Sequence, residues 1–110
     1  MLRRTAPRGG DVLEAGEIEV DRPTRCVRVR GLLIHLPAKE YELLVKLAEE
    51  PTRVFTKDEL LREVWGFRAM GRTRTLDSHA SRLRRKLAAA TDTPYVLNVW
   101  AVGYRLMLPA

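Results

Sequence analysis

Between Arg72 and Lys86 the chain places six basic residues (Arg72, Arg74, Arg82, Arg84, Arg85 and Lys86) against one acid, Asp77, a local charge of +5. At about 100° per residue, a helix over this segment gathers Thr75, Ser78, His79, Arg82 and Lys86 on one side, flanked by Arg74 and Arg85 and opposite Leu76, Leu83 and Leu87. Long cationic side chains suit phosphate oxygens and guanine edges, and short hydroxyl side chains let a helix come close to bases. The chemistry this pattern could do is recognition of a polyanion. A bidentate arginine on guanine discriminates by about 1–3 kcal/mol. His79 has two readings, a donor to phosphate or base and a polar residue at the edge of the helix packing. For a basic helix taken alone, the plain alternative is an arginine-rich solvated face.

Catalytic chemistry finds no comparable grouping. Cys26 sits in an apolar stretch, His35 and His79 fall in different predicted elements, and the carboxylates lie on solvated helix faces, so no nucleophile pairs with a base. Cys26, His35 and His79 are also too few and badly spaced for zinc, and one cysteine cannot close an internal disulfide. No enzyme activity, cofactor, metal or small-molecule substrate is expected. With 110 residues, 45% of them hydrophobic and 31% charged, the chain has room for one modest core. The net charge of +6 favours a polyanionic partner, and it is focused: Ala38 to Trp65 carries five basic and seven acidic residues. No apolar run approaches a membrane span, and Met1-Leu2-Arg3-Arg4 precedes no signal-like stretch, so no membrane partner and a cytoplasmic location are expected.

The basic helix needs a scaffold, and the rest of the chain supplies one. Residues 1 to 11, with Pro7, Gly9, Gly10 and three arginines, read as a flexible leader or linker remnant ahead of a domain at 12 to 108. Val12-Leu13, Ile18 to Val20, Cys26 to Val29 and Leu32 to Leu36 read as a four-stranded antiparallel sheet, with Val27 and Val29 inward, Arg28 and Arg30 outward, and a tight turn at Arg30-Gly31. Tyr41, Leu44, Leu47 and Ala48 mark a first helix over 38 to 50, with Lys39, Glu42, Lys46, Glu49 and Glu50 facing away and Pro51 stopping it. Thr56 and Glu59 form a capping box opening a second helix, whose Leu60, Leu61, Val64 and Trp65 are read as core up to Gly66. A loop over 66 to 72 leads to the third helix, 73 to 90, with core face Leu76, Ala80, Leu83 and Leu87. Asp77 is placed in its first turn as a structural carboxylate favouring the helix dipole. Tyr95 to Trp100 and Gly103 to Leu108 close the chain as a hairpin across Ala101-Val102. The fold class is α+β.

Several separated strings resemble the C-terminal effector domain of OmpR/PhoB-type response regulators, over about residues 12 to 108. They are Lys39-Glu40-Tyr41-Glu42-Leu43-Leu44, Val54-Phe55-Thr56-Lys57-Asp58-Glu59-Leu60-Leu61 with Val64-Trp65-Gly66, Arg74-Thr75-Leu76-Asp77-Ser78-His79 with Arg82-Leu83-Arg84-Arg85-Lys86-Leu87, and Gly103-Tyr104-Arg105. The resemblance implies a winged helix-turn-helix: an N-terminal four-stranded antiparallel sheet, three helices and a C-terminal β-hairpin wing. It implies double-stranded DNA binding by a transcriptional regulator, with the third helix in the major groove and the wing, 95 to 108, near the minor groove. It carries DNA contact onto Arg74, Thr75, Ser78, His79, Arg82 and Arg84, with Arg82 the first choice for reading a base and Arg85 and Lys86 on the same basic helix. The loop 66 to 72 then corresponds to the family's transactivation loop, making Phe67, Arg68 and Met70 candidates for contact with RNA polymerase. A plain connector is the alternative for seven residues. Family behaviour also implies two copies head to tail on a direct repeat.

Two departures from the pattern matter. Where family wings read Thr-Val-Arg-Gly, this chain has Asn98-Val99-Trp100-Ala101, so the wing arginine is missing. Wing contact then falls to Asn98 or to apolar or stacking contact by Trp100, or is weak, with a merely packed Trp100 as the alternative. At the first helix, Leu36-Pro37-Ala38 replaces the usual Leu-Thr and removes a hydroxyl cap, leaving Pro37 to preset the helix start. The family's phosphoacceptor receiver domain is absent from these residues, so the chain reads as an excised effector domain, with a stand-alone regulator as the alternative. An interaction module recruiting polymerase through the loop and Trp100 is the competing class. RNA binding lacks an RNP-like string or GXXG loop.

Overall fold

The computed structural model describes residues 12–107, so the leader expected at 1 to 11 and the hairpin end expected at Leu108 lie outside the described residues. Four short strands come first: β1 (Val12–Ala15), β2 (Ile18–Asp21), β3 (Cys26–Val29) and β4 (Leu32–Ile34), paired antiparallel in that order. Their alternation fixes which side faces the core. Ile18, Val20, Val27 and Val29 are buried while Glu19 and Arg28 between them are exposed, with Val20 opposite Val27. The β3–β4 turn is made by Arg30 (φ 55°) and Gly31 (φ 81°), the left-handed pair that a two-residue hairpin requires.

Helix α1 (Ala38–Glu49) starts at Pro37 without a side-chain cap, the Pro37 carbonyl accepting from the Tyr41 N–H at 2.9 Å. It buries the expected Tyr41, Leu44, Leu47 and Ala48, and also Leu43 and the carboxylate Glu40. The second helix opens on the predicted capping box. The Glu59 N–H donates to Thr56 Oγ1 and the Thr56 N–H to Glu59 Oε1, each at 3.0 Å. It is regular only over α2 (Lys57–Leu60), then widens into a π-helical turn at Leu61–Trp65, followed after Gly66 by a 3-10 turn at Phe67–Ala69. Lys39 Nζ reaches across from α1 to the Val64 carbonyl at 2.8 Å, satisfying an acceptor at the widened turn.

Helix α3 (Thr73–Ala88) lays Leu76, Ala80, Leu83 and Leu87 into the core beneath α1 and α2, the four positions its period predicts. The chain ends on β6 (Val96–Val99) and β7 (Gly103–Leu106), but the hairpin does not stand alone. A two-residue strand, β5 (Phe55–Thr56), pairs with β7 to make a three-stranded sheet of order β5-β7-β6. Gly103 permits this: a β-carbon there would lie 1.8 Å from the Phe55 carbonyl oxygen. The two sheets are tied by Glu17, whose Oε1 accepts from Thr91 Oγ1 (2.6 Å) and the Tyr95 hydroxyl (3.1 Å).

Candidate nucleic-acid interface

Opposite its buried leucines, α3 presents Thr73, Arg74, Asp77, Ser78, Ser81, Arg82 and Arg85 around one open depression. These residues follow i, i+1, i+4, i+5 spacing, one helix face. Among the described residues, no carboxylate lies within ion-pair distance of Arg74, Arg82 or Arg85. The face therefore combines three uncompensated guanidinium groups with the short side chains Ser78 and Ser81 between them.

This face is turned by roughly 100°, one residue step around the helix, from the one grouped from sequence, which has Thr75, His79 and Lys86 near its middle. All three lie on its flank, half-buried. His79 Nδ1 donates to the Thr75 carbonyl at 2.8 Å, and its ring meets Trp65 edge-on with centroids 5.1 Å apart. Trp65 is half-buried and packs on the core rather than within it. Lys86 Nζ lies 2.8 Å from Glu40 Oε1, a carboxylate only 2% exposed. Thr73 and Ser81 were missed. Taking the direction opposite all four buried positions, Ala80 included, centres the face on Arg74, Ser78 and Arg85 and brings in Ser81, whereas Thr73, about 20° from Ala80 around the helix, is not recovered this way.

On the other flank α3 meets the hairpin. Arg84 Nε donates to the Val96 carbonyl at 3.3 Å. Asp77 is the fifth residue of α3 and lies beyond its first turn, which holds no acid. Its position is explained by partners instead of the helix dipole: Oδ1 accepts from the buried Tyr104 hydroxyl at 2.6 Å and lies 3.3 Å from Lys57 Nζ. Burial, and after it the bond to Asp77, pushes the Tyr104 hydroxyl far above the usual tyrosine pKa. One carboxylate thus joins α2, α3 and β7.

The hairpin tip is fastened to the same region. The Val102 N–H donates to the Val99 carbonyl (2.9 Å), Ala101 takes a left-handed φ of 67°, and the Val102 carbonyl accepts from the Lys57 N–H (3.2 Å). Trp100 projects from this tip 87% exposed, so it is not packed, and Asn98 is exposed on β6. In the connection to α3, Phe67 is 78% exposed, with Arg68 and Met70 also exposed. Among the described residues no helix is long and apolar enough to cross a membrane, and no group of three or more His, Cys, Asp or Glu could hold a metal ion.

Residues 31–106 match the family described as "Transcriptional regulatory protein, C terminal". Over 106 residues the chain is 37% identical to the transcriptional regulatory protein SrrA of Staphylococcus aureus, covering 94% of this chain and 44% of that protein. It thus spans less than half the length of the curated relatives it matches. Among solved structures, the DNA-binding domain of the response regulator AdeR, in complex with an intercistronic region, aligns with a TM-score of 0.79 at 35% identity, over 87% of this chain and 99% of that one. The RstA DNA-binding domain of Klebsiella pneumoniae, in complex with the RstA box, aligns with a TM-score of 0.74 at 27% identity, over 87% and 96%. With four strands, three helices and a closing hairpin in the order the resemblance implied, the chain belongs to the family of transcriptional-regulator C-terminal domains, as an OmpR/PhoB-type winged helix.

Proposed function

We propose that the chain binds double-stranded DNA sequence-specifically as the effector domain of a transcriptional regulator, with α3 in the major groove and the β6–β7 hairpin near the adjacent minor groove. The observation that carries this reading is the outward strip of α3, where Arg74, Arg82 and Arg85 stand unpaired around Ser78 and Ser81. A helix about 10–12 Å across fits a major groove about 12 Å wide, and short side chains at the middle of the face let the arginines reach base edges. Arg82 reads a base, Arg74 and Arg85 hold phosphates or neighbouring bases, and Arg84 lies beside the hairpin. Thr75 and His79 border the strip, and Lys86, its charge met by Glu40, adds little to it. Asn98 and Trp100 are the groups the hairpin offers. Two similar domains were crystallised with DNA.

The test is repeated selection of bound sites from a randomised duplex library, followed by salt titration with an Arg82→Ala variant. A defined site, affinity falling steeply with salt, and loss of discrimination at one base position in the variant are expected. No enriched site, with Arg82→Ala unchanged, would end the base-reading assignment. A head-to-tail pair is proposed on a direct repeat; one protected half-site at saturation, or an inverted repeat, would refute it. The exposure of Phe67 beside Arg68 and Met70 supports a second contact, with RNA polymerase. Phe67→Ser should then lower transcription from a promoter carrying the site at unchanged DNA affinity, and unchanged transcription would remove this contact.

A further inference from the structure

Among the described residues Trp100 is the most exposed large hydrophobic side chain, and Val102, two residues on, is also exposed. The turn that carries them is fixed by backbone contacts. The Val99–Val102 hydrogen bond closes the turn, the Lys57 N–H holds the Val102 carbonyl, and Gly103 packs against the Phe55 backbone. No charged residue occurs from Leu97 to Tyr104, so the tip offers no cation to a groove. Yet it adjoins the arginine strip, because Lys57 and Tyr104, its two neighbours, both meet Asp77 in α3.

A rigid apolar point beside a cationic helix face fits a duplex. The helix face neutralises phosphates, and the point meets the next groove about half a helical turn away. We propose that Trp100, backed by Val102, is an apolar wedge that enters the minor groove and makes the hairpin select a deformable base step there. The proposal rests on the DNA-binding reading above. Apolar side chains in the minor groove act by partly unstacking a step, which costs least at TA and CA/TG and most in stiff A-tracts. Trp100 is therefore a specificity-determining residue that works through DNA shape. A protein partner at this tip would have to compete with DNA for the adjoining strip.

The experiment uses the 110-residue chain and its selected duplex, with Trp100→Ala, Trp100→Phe and Trp100→Arg variants and Arg82→Ala as the helix control. Because the indole is exposed, these changes leave the core intact. Trp100→Ala should bind roughly ten-fold more weakly, the scale of one aromatic–base contact, and lose preference for a pyrimidine–purine step under the hairpin at unchanged salt slope. Trp100→Phe should keep most of both, and Trp100→Arg should steepen the salt slope and prefer the narrow groove of an A-tract. In the wild-type complex, acrylamide quenching of the exposed indole should be suppressed. Equal affinity for wild type and Trp100→Ala, or an indole still freely quenched on DNA, overturns the wedge while Arg82→Ala still reports base reading. Failure to select any site overturns both readings.

Discussion

Lys86 separates a reading by charge from a reading by geometry. Its ammonium group lies 2.8 Å from Glu40 Oε1, and Glu40 is 2% exposed while the Lys86 side chain is 37% exposed. Lys86→Met strands a buried carboxylate. Breaking a fully buried pair costs about 3–5 kcal/mol, whereas a surface pair is worth about 0–1 kcal/mol. With one partner buried and the other partly solvated, about 2 kcal/mol is expected. At roughly 4–8 °C per kcal/mol for a domain of this size, Tm should fall by roughly 10–15 °C by calorimetry. Glu40→Met with Lys86→Met should recover most of it, because no unpaired charge remains. Salt titration of DNA binding, well below the lowered Tm, should leave the slope unchanged, whereas losing a phosphate ligand lowers it by about 0.9. A slope reduced by about one with Tm intact would refute the reasoning: Lys86 would then be a phosphate ligand and its bond to Glu40 dispensable.

Three further perturbations test the frame around α3. Tyr104 holds its proton more tightly folded than unfolded, so its contribution is complete below about pH 10 and is lost as pH rises above that. Denaturant melts from pH 8 to 11 should show this decline, and Tyr104→Phe should flatten it in part, since burial also raises Tyr41 and Tyr95; an unchanged alkaline limb would refute it. Gly103→Ala puts a β-carbon 1.8 Å from the Phe55 carbonyl oxygen and should cost about 3 kcal/mol or more by urea unfolding, because backbone must move to relieve it. At the capping box, the Thr56 N–H, and after it Arg53, hold the Glu59 carboxyl below its usual range. Its stabilisation is present above about pH 4.3 and lost as pH falls, so Glu59→Gln should lessen the acid sensitivity of Tm between pH 5 and 3.

The periodic and local signals of the fold were legible in the sequence. The four buried positions of α3, the alternation of β2 and β3, the Arg30-Gly31 turn and the Thr56–Glu59 box each follow from spacing within a few residues. What escaped depends on contacts between distant segments. β5 is two residues long and exists because Gly103 admits the Phe55 backbone, a contact between distant segments of the chain that has no local pattern. The π-helical turn at Leu61–Trp65 leaves the apolar stripe of the second helix intact, and so hides in it. Glu40 looked like a solvated carboxylate because its partner, Lys86, lies on another helix. The same contact withdraws Lys86 from the outward face of α3.

Asp77 bears directly on the proposal that this surface meets phosphates, since it is the lone acid on α3 and borders the arginine strip. One oxygen accepts the Tyr104 hydroxyl proton at 2.6 Å and lies 3.3 Å from the Lys57 ammonium, so its charge is met locally before it can repel a polyanion. The same three groups fix the angle between helix and hairpin, because Lys57 opens α2, Asp77 sits on α3 and Tyr104 lies in β7. A hydrogen-bonded carboxylate shared by three elements allows little relative motion between them. Under the proposed DNA-binding reading, this shared carboxylate sets the angle at which Arg74, Arg82 and Arg85 and the hairpin carrying Trp100 would face a single duplex.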